Sequence, residues 1–410
     1  GQVTSQHETG GDTPVERVEI VLSNPKLFGE SNLTAEAVAT HARRTPHADC
    51  IKSFKVDNCF WSFRGTPEGS IPSELQCASQ EDVFEGIGRE LVEKVLSGIS
   101  TTCFAYGHTS TGKTHSMFGS LVQMAQQAVE ASKPKHAYTQ SPLSASASVG
   151  IGTNDGPSPS PVPLLSPVRD DGSLDPNLGL IPRTVAAIME GVLADPVMRH
   201  DTRVTLSFKD IYNDRIRDLL MNSDPDKHLK LREHPQYGTF VEGLTKVEVG
   251  SVREALRVLL WGATRRTIAT TARNLKSSRS HAIVTVELSP RATSGAAVQA
   301  SGQGLRSKTL SSVHTRGSSA RIHLLDLAGS EEDKDNVGGS YGNPHRKHPI
   351  DSSRVHMSAQ EKDLQRTEMR TIRKSLSTLG FIIREVARGA PLKGLPFGDS
   401  VLTRLLKDML

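Results

Sequence analysis

A short segment of the chain has the residue types and spacing that bind phosphate. Residues 107–114 read Gly-His-Thr-Ser-Thr-Gly-Lys-Thr, which fits the pattern G-x-x-x-x-G-K-[ST]. Glycines let the backbone wrap closely around a phosphate, a lysine adds positive charge, and a threonine hydroxyl suits Mg²⁺, which prefers oxygen ligands. The alternative is a glycine-rich turn with an incidental lysine. We predict a nucleotide site formed by Gly107, His108, Thr109, Ser110, Thr111, Gly112, Lys113 and Thr114.

A second segment could sense the same phosphate. Asp326 lies in an apolar run, residues 322–327, and Gly329 follows it. A carboxylate at the end of a buried strand can hold Mg²⁺ through water, and a glycine N–H can contact the terminal phosphate. Many strands end in such a turn without any function, so this interpretation depends on the phosphate loop.

The third segment, residues 274–281, reads Asn-Leu-Lys-Ser-Ser-Arg-Ser-His. By composition alone, a polar loop before the next strand is the favoured interpretation. If the segment lies beside the phosphate, it is a switch loop: its hydroxyls would reach Mg²⁺ and the attacking water, and Arg279 would pair with a carboxylate.

The hydrophobic pattern indicates the elements that position these segments. The pattern predicts strands at 18–22, 102–106, 203–208, 282–288 and 322–327, with a β-rich patch at 51–63, and helical spacing predicts helices at 81–97, 251–268 and 361–388. Strands mixed with helices predict an α/β fold of three layers. We expect a disordered lead, 1–14, and one domain, 15–410, with flexible insertions at about 131–175, 290–319 and 333–358.

Composition excludes several classes of protein. The 410 residues carry 49 Lys and Arg against 45 Asp and Glu, so the chain is neither a highly basic nucleic-acid arm nor an acidic disordered tail. The four cysteines form no CxxC pair, which favours a reducing compartment and argues against zinc. No apolar run approaches the roughly 18 residues of a membrane span. A basic surplus lies in residues 341–410, with 13 Lys and Arg against 7 Asp and Glu.

Taken in order, the three segments resemble the kinesin motor domain. That family has a phosphate loop after Phe-Ala-Tyr-Gly, then Asn-x-x-Ser-Ser-Arg-Ser-His, then Asp-Leu-Ala-Gly-Ser-Glu, as this chain does. The similarity extends from about Val18 to the last residue, apart from the insertions, with further matches at 179–183, 207–220, 372–380 and 396–406. A weaker resemblance, at 58–62, 231–235 and 399–403, is to the kinesin-three subfamily of cargo transporters.

The resemblance implies the kinesin motor fold, a P-loop NTPase in which helices flank a central, mostly parallel or mixed sheet. It implies that the nucleotide is ATP, bound by residues 107–114 with Pro25 nearby, and that the enzyme is an ATPase. Thr114 and Ser278 would ligate Mg²⁺.

The resemblance also implies a catalytic set of five residues. Ser277 and Gly329 would contact the γ-phosphate and position water, and Asp326 would end the strand beside them. Arg279 and Glu331 would form an ion pair that closes the two switch loops.

The basic helices near the C-terminus would face tubulin, whose surface is acidic, through Arg373, Lys374, Arg404 and Lys407. A solvated helix face is the alternative for any one of these residues. The implied partner is the microtubule, with no nucleic acid and no membrane contact, and the implied location is the cytoplasm and its cytoskeleton. We expect the final core helix and the neck linker of the family to be absent from this segment, so that other regions set the oligomeric state.

Departures from the family pattern leave a second function open. Two arginines that precede Pro25 in the family are missing, Arg373 replaces an asparagine, and Gly398 replaces an arginine. A motor that hydrolyses ATP to move along microtubules is favoured, and a non-motile, nucleotide-dependent microtubule-binding module is the alternative. An unrelated phosphate-loop enzyme, such as a nucleotide kinase, is a third class, but the chain offers no recognisable acceptor site.

Overall fold

The structure, a computed structural model, describes residues 2–6, 17–23, 51–60, 62, 77–132, 166–221, 227–235, 238–272, 279–291, 319–330 and 359–409. The chain divides into two compact units, residues 1–86 and 87–410. The first unit contains an antiparallel sheet of β1 (Gln2–Gln6), β2 (Arg17–Ser23) and β3 (Ile51–Val56), and helix α1 (Gln80–Val83). The strand predicted at 18–22 is confirmed, and the β-rich patch predicted at 51–63 forms a strand in its first part, at 51–56. Strand β1 lies within the predicted disordered lead, where its backbone pairs with β2.

The helix predicted at 81–97 is divided into α1, a π-helical turn (Phe84–Gly88) and α2 (Arg89–Leu96). The other helices are α3 (Lys113–Phe118), α4 (Leu121–Ser132), α5 (Leu180–Ala194), α6 (Pro196–Asp201), α7 (Val252–Ala272), α8 (Ala359–Ala387) and α9 (Val401–Leu406). The strands of the second unit are β4 (Thr101–Ala105), β5 (Thr202–Tyr212), β6 (Arg215–Asp218), β7 (His228–Leu229), β8 (Leu231–His234), β9 (Gly238–Val241), β10 (Val247–Glu248), β11 (His281–Pro290) and β12 (Ala320–Asp326).

The central sheet has the strand order β4-β12-β11-β5-β6-β7, with β10 paired to β5. Strands β4 and β12 are parallel, and the other described pairs of this sheet are antiparallel. The sheet is therefore mixed rather than mostly parallel. Because β4 and β12 are parallel, their carboxyl ends lie at the same edge, which brings the phosphate loop and Asp326 together.

Helices cover both faces of this sheet, so the predicted three layers are confirmed. On one face, the ring of Phe118 in α3 stacks on Phe208 in β5 with 5.8 Å between centroids. Helix α7 lies so close to the same strand that a Cβ on Gly262 would be 2.2 Å from the Phe208 ring. On the other face, α8 and α9 pack over Ile211, Ile283 and Leu325 through Ile372, Leu376, Leu379, Leu402, Leu405 and Leu406.

The predicted insertions overlap described structure at their ends. Helix α4 extends to Ser132, and residues 166–179 fold back as a loop that contains an isolated bridge between Val168 and Leu174. Buried Arg183 holds this loop, because its guanidinium donates to the Leu178 and Pro176 carbonyl oxygens at 2.8 Å. Residues 133–165, 292–318 and 331–358 lie outside the described residues. In the described part of the chain, no helix has the length and apolar character that crossing a membrane requires.

Candidate functional site

The phosphate loop connects β4 to α3, as the sequence predicts. Gly112 has a φ of +91°, a conformation that favours glycine, and directly precedes the first residue of α3. Lys113 Nζ donates to the carbonyl oxygens of Gly107 at 2.8 Å and His108 at 2.6 Å. The ammonium group therefore lies over the loop in which a phosphate would be bound.

Asp326 ends β12 directly beside this loop. Thr114 Oγ1 donates to Asp326 Oδ2 at 2.8 Å, and Arg266 Nη1 donates to the same oxygen at 3.0 Å. The carboxylate is almost fully buried, and its Oδ1 has no hydrogen-bond partner among the described residues. The structure thus brings together the hydroxyl and the carboxylate that the sequence predicts for a magnesium site.

Arg266 is a part of the site that sequence reasoning missed. Its Nη2 donates to the Ser280 carbonyl oxygen at 3.3 Å, and its guanidinium lies over the Phe118 ring, 5.8 Å from the centroid. A charge-assisted bond to Asp326 fixes the position of the carboxylate. Helical spacing was the signal that could have identified it. Arg266 lies seven residues after buried Leu259 and three residues after buried Ala263, so it shares their face of α7.

The segment after β12 contacts both the phosphate loop and β11. The Leu327 N–H donates to the Ala105 carbonyl oxygen at 3.4 Å, and the Ser330 N–H donates to that of Gly107 at 3.2 Å. The Ala328 N–H donates to His281 Nδ1 at 3.1 Å. Buried Gly329 is therefore held beside the loop, as a phosphate sensor requires.

Arg279 pairs with a residue that the sequence analysis did not identify. Its Nη1 donates to Glu368 Oε2 of α8 at 3.1 Å, and the Tyr212 hydroxyl donates to Glu368 Oε1. Glu331, the predicted partner, lies outside the described residues, as do Pro25, Ser277 and Ser278. The pairing of Arg279 with Glu331 stays a prediction, whereas the described contact joins the start of β11 to α8.

The predicted microtubule-binding residues lie on α8 and around α9. Arg373, Lys374 and Arg404 are exposed, whereas Lys407 Nζ forms an exposed ion pair with Glu233 Oε1 of β8 at 2.7 Å. The sequence analysis omitted three further exposed arginines of α8: Arg366, Arg370 and Arg384. Their spacing from Arg373, which combines steps of three and four residues, was the signal that places them along the same side of the helix.

A phosphate loop with its lysine, a threonine bonded to a strand-end aspartate, and helices on both sides of the sheet define a P-loop NTPase. The comparisons with known proteins identify the family more closely. The model of the kinesin motor domain matches residues 18–152 and 163–341, more than half of the chain. The chain therefore belongs to the kinesin motor-domain family.

Individual relatives agree with this assignment. Kinesin-like protein K39 of Leishmania chagasi is 30% identical over 404 residues, which cover 94% of this chain and 32% of the relative. Kinesin-like protein KIF13A of Mus musculus is 28% identical over 367 residues, 88% of this chain and 15% of the relative, and is consistent with the kinesin-three resemblance. The chain thus spans less than a third of the length of these two relatives.

A solved structure shows the same fold. The structure of a fast kinesin aligns with a TM-score of 0.50 and 26% identity, covering 81% of this chain and 67% of that one.

Proposed function

We propose that this chain is an ATP-dependent motor domain that hydrolyses ATP to drive movement along microtubules. The observation that carries the proposal is the meeting of residues 107–114, Asp326 and Gly329 at one edge of the sheet, with Arg279 bonded to α8 beside it. A change at the phosphate can therefore reach a helix with exposed basic residues. The fast kinesin is described in terms of its ATPase mechanism and its interactions with microtubules, which supports the same function here.

The residues present fit ATP and Mg²⁺. Asp326 Oδ1 is buried and without a partner among the described residues, and the Thr114 hydroxyl lies beside it, so this pocket has the oxygen donors that Mg²⁺ prefers. Thr114 and Ser278 would hold the ion, which neutralises charge on the phosphates when bound. Lys113 contributes a fixed positive charge, and Arg266 keeps the Asp326 carboxylate oriented. Ser277 and Glu331 belong to the proposed catalytic set with Arg279, Asp326 and Gly329.

The proposed track-binding surface consists of Arg373, Lys374, Arg404 and Lys407, and the partner is the acidic surface of tubulin. Electrostatic complementarity of this kind raises the association rate and weakens as salt increases. Lys407 contributes less than the others, because Glu233 already occupies its ammonium group. We therefore propose a place on microtubules in the cytoplasm, with tubulin rather than nucleic acid or a membrane as the partner.

ATP turnover with and without microtubules tests the proposal. We expect turnover to rise with microtubule concentration and the stimulation to decrease with added salt. Surface-attached protein should then glide microtubules when ATP is present. Stimulated turnover without gliding would favour the non-motile module, which none of the comparisons supports, and turnover that ignores microtubules would contradict both functions.

A further inference from the structure

His281, the first residue of β11, lies where a loop and a helix meet. Its side chain is almost fully buried, at 3% exposed. Its Nδ1 accepts a hydrogen bond from the Ala328 N–H at 3.1 Å, and its Nε2 lies 3.3 Å from Ser375 Oγ on α8. The Ser375 hydroxyl in turn donates to the Ile372 carbonyl oxygen at 2.8 Å.

These contacts fix the direction of each hydrogen bond. Burial, and then the charge of Arg266, lower the pKa of His281 to about 3, so the ring is neutral near pH 7. Because a backbone N–H donates to Nδ1, the single ring proton lies on Nε2. The Ser375 hydroxyl donates its proton to the Ile372 carbonyl oxygen, so Ser375 Oγ can accept a hydrogen bond from His281 Nε2. A continuous chain of hydrogen bonds therefore runs from Ala328 through His281 to α8.

The two ends of this chain lie next to residues with proposed roles. Ala328 precedes Gly329, which is held beside the phosphate loop, and Ser375 directly follows the exposed pair Arg373 and Lys374. Two turns earlier on the same helix, Glu368 receives Arg279. Residues 279 and 281 thus attach the start of β11 to α8 at two points, and His281 also contacts the loop after β12.

We propose that His281 is a positioning residue that couples the loop at 327–330 to α8, so that a change at the phosphate shifts the helix that carries Arg373 and Lys374. The proposal rests on the proposed function, because it assigns a route between the nucleotide and the track. Small movements are enough for this coupling, because both hydrogen bonds of His281 are directional and both of its partners, Ala328 and Ser375, are buried against the sheet.

Two variants remove the contact with α8 from opposite sides. In His281→Asn, the amide oxygen can still accept from the Ala328 N–H, but the side chain is too short to reach Ser375. Ser375→Ala removes the acceptor and leaves His281 unchanged. Thr367→Val is the matched control, because the Thr367 hydroxyl on α8 donates to its own helix, to the Asp363 carbonyl oxygen at 3.0 Å.

Hydrogen–deuterium exchange in α8, compared between ADP and a non-hydrolysable ATP analogue, measures the coupling without microtubules. We expect a nucleotide-dependent difference in the unmodified chain and in Thr367→Val, and its loss in both His281→Asn and Ser375→Ala. Microtubule-stimulated turnover at saturation should fall about fivefold or more in both variants, with analogue affinity retained. The double variant should be no worse than either single variant, since one shared contact is lost once.

The proposal would be overturned by a normal nucleotide-dependent exchange difference in either variant, by losses that add in the double variant, or by the absence of a difference in the unmodified chain. A purely structural role would lower thermal stability and analogue affinity together, which also contradicts coupling. Failure of the motor function is distinguishable. In that case the exchange difference depends on His281 as expected, but microtubules do not stimulate turnover even in the unmodified chain.

Discussion

Two buried histidines, His281 and His323, lie on the same face of the central sheet, and burial lowers the pKa of each to about 3. Their partners differ. Lys209 Nζ donates to Thr285 Oγ1 at 3.4 Å, and the same hydroxyl lies 3.0 Å from His323 Nδ1, so this row connects only the neighbouring strands β5, β11 and β12. His281 instead connects a strand to a loop and a helix.

The difference shows that burial determines the charge of a histidine but not its role. Many backbone hydrogen bonds hold the strands of one sheet in place. A row of polar side chains between these strands can therefore alter stability, but it can produce little relative movement of the strands. A loop and a helix are held by fewer contacts, so a bond between them can transmit a shift. Variants in the strand row of Lys209, Thr285 and His323 should therefore change stability alone. Variants at the edge of the sheet that carries the phosphate loop should change nucleotide binding or the response of the protein to nucleotide.

The largest expected effect is at the edge of the sheet. Lys113→Ala should lower ATP-analogue affinity by at least about 100-fold, because it removes a charge-assisted contact to the phosphates. A titration with a fluorescent analogue measures this loss, and the thermal midpoint without nucleotide should change little. Unchanged affinity would show that residues 107–114 are not the nucleotide site.

The two histidines should make the chain less stable in acid. In the unfolded chain the pKa of a histidine is about 6.5, whereas in the folded chain the pKa of these two is about 3. Between these two pH values the unfolded chain binds protons that the folded chain does not, so stability falls as the pH decreases through this range. From pH 7 to 5, each histidine should lower the free energy of unfolding by about 2 kcal/mol. Urea unfolding at both pH values measures the effect. His323→Gln should remove about half of it, and an unchanged pH dependence in that variant would contradict the buried, neutral assignment.

Much of the fold could be predicted from the sequence, because β11 and β12 bury mostly apolar stretches and β5 buries alternating apolar side chains at Val204, Leu206 and Phe208. The phosphate loop was predictable for a different reason: its glycines and lysine are close together in the chain. Glu368 was not predictable, because its role depends on packing against Arg279, which is 89 positions away. A local sequence pattern does not show which distant elements contact each other, so such a contact can be predicted only through a resemblance to a known family. Here the resemblance predicted Glu331, and not Glu368, as the ion-pair partner of Arg279.

A smaller effect separates a buried ion pair from an exposed one. Glu368→Gln keeps the shape of the side chain but leaves Arg279 without its buried carboxylate, so we expect the free energy of unfolding to fall by about 1–3 kcal/mol. Glu233→Gln is the control, because both members of the Lys407–Glu233 pair are about half exposed, and it should leave stability unchanged. Urea unfolding compares them. Equal losses would show that the Arg279–Glu368 contact is no stronger than a surface pair.

The smallest effect is expected in the strand row, from Lys209→Met. Burial lowers the pKa of Lys209 to about 8, with Asp218 opposing the shift, so near pH 7 the fold holds a buried ammonium at a cost. Methionine removes both this cost and the contact with Thr285, so stability should stay within about 1 kcal/mol of the unmodified chain. Between pH 8 and about 10.5 the unfolded lysine binds a proton that the folded one has released, so the stability of the unmodified chain should rise with pH, whereas that of Lys209→Met should not. Urea unfolding at pH 7, 8 and 9.5 tests the slope.

ATP-analogue affinity should be the same in both proteins, because the row contacts neither the phosphate loop nor α8 through any described hydrogen bond. A change in affinity would mean that the strand row also transmits to the site, and the distinction between the two histidines would fail.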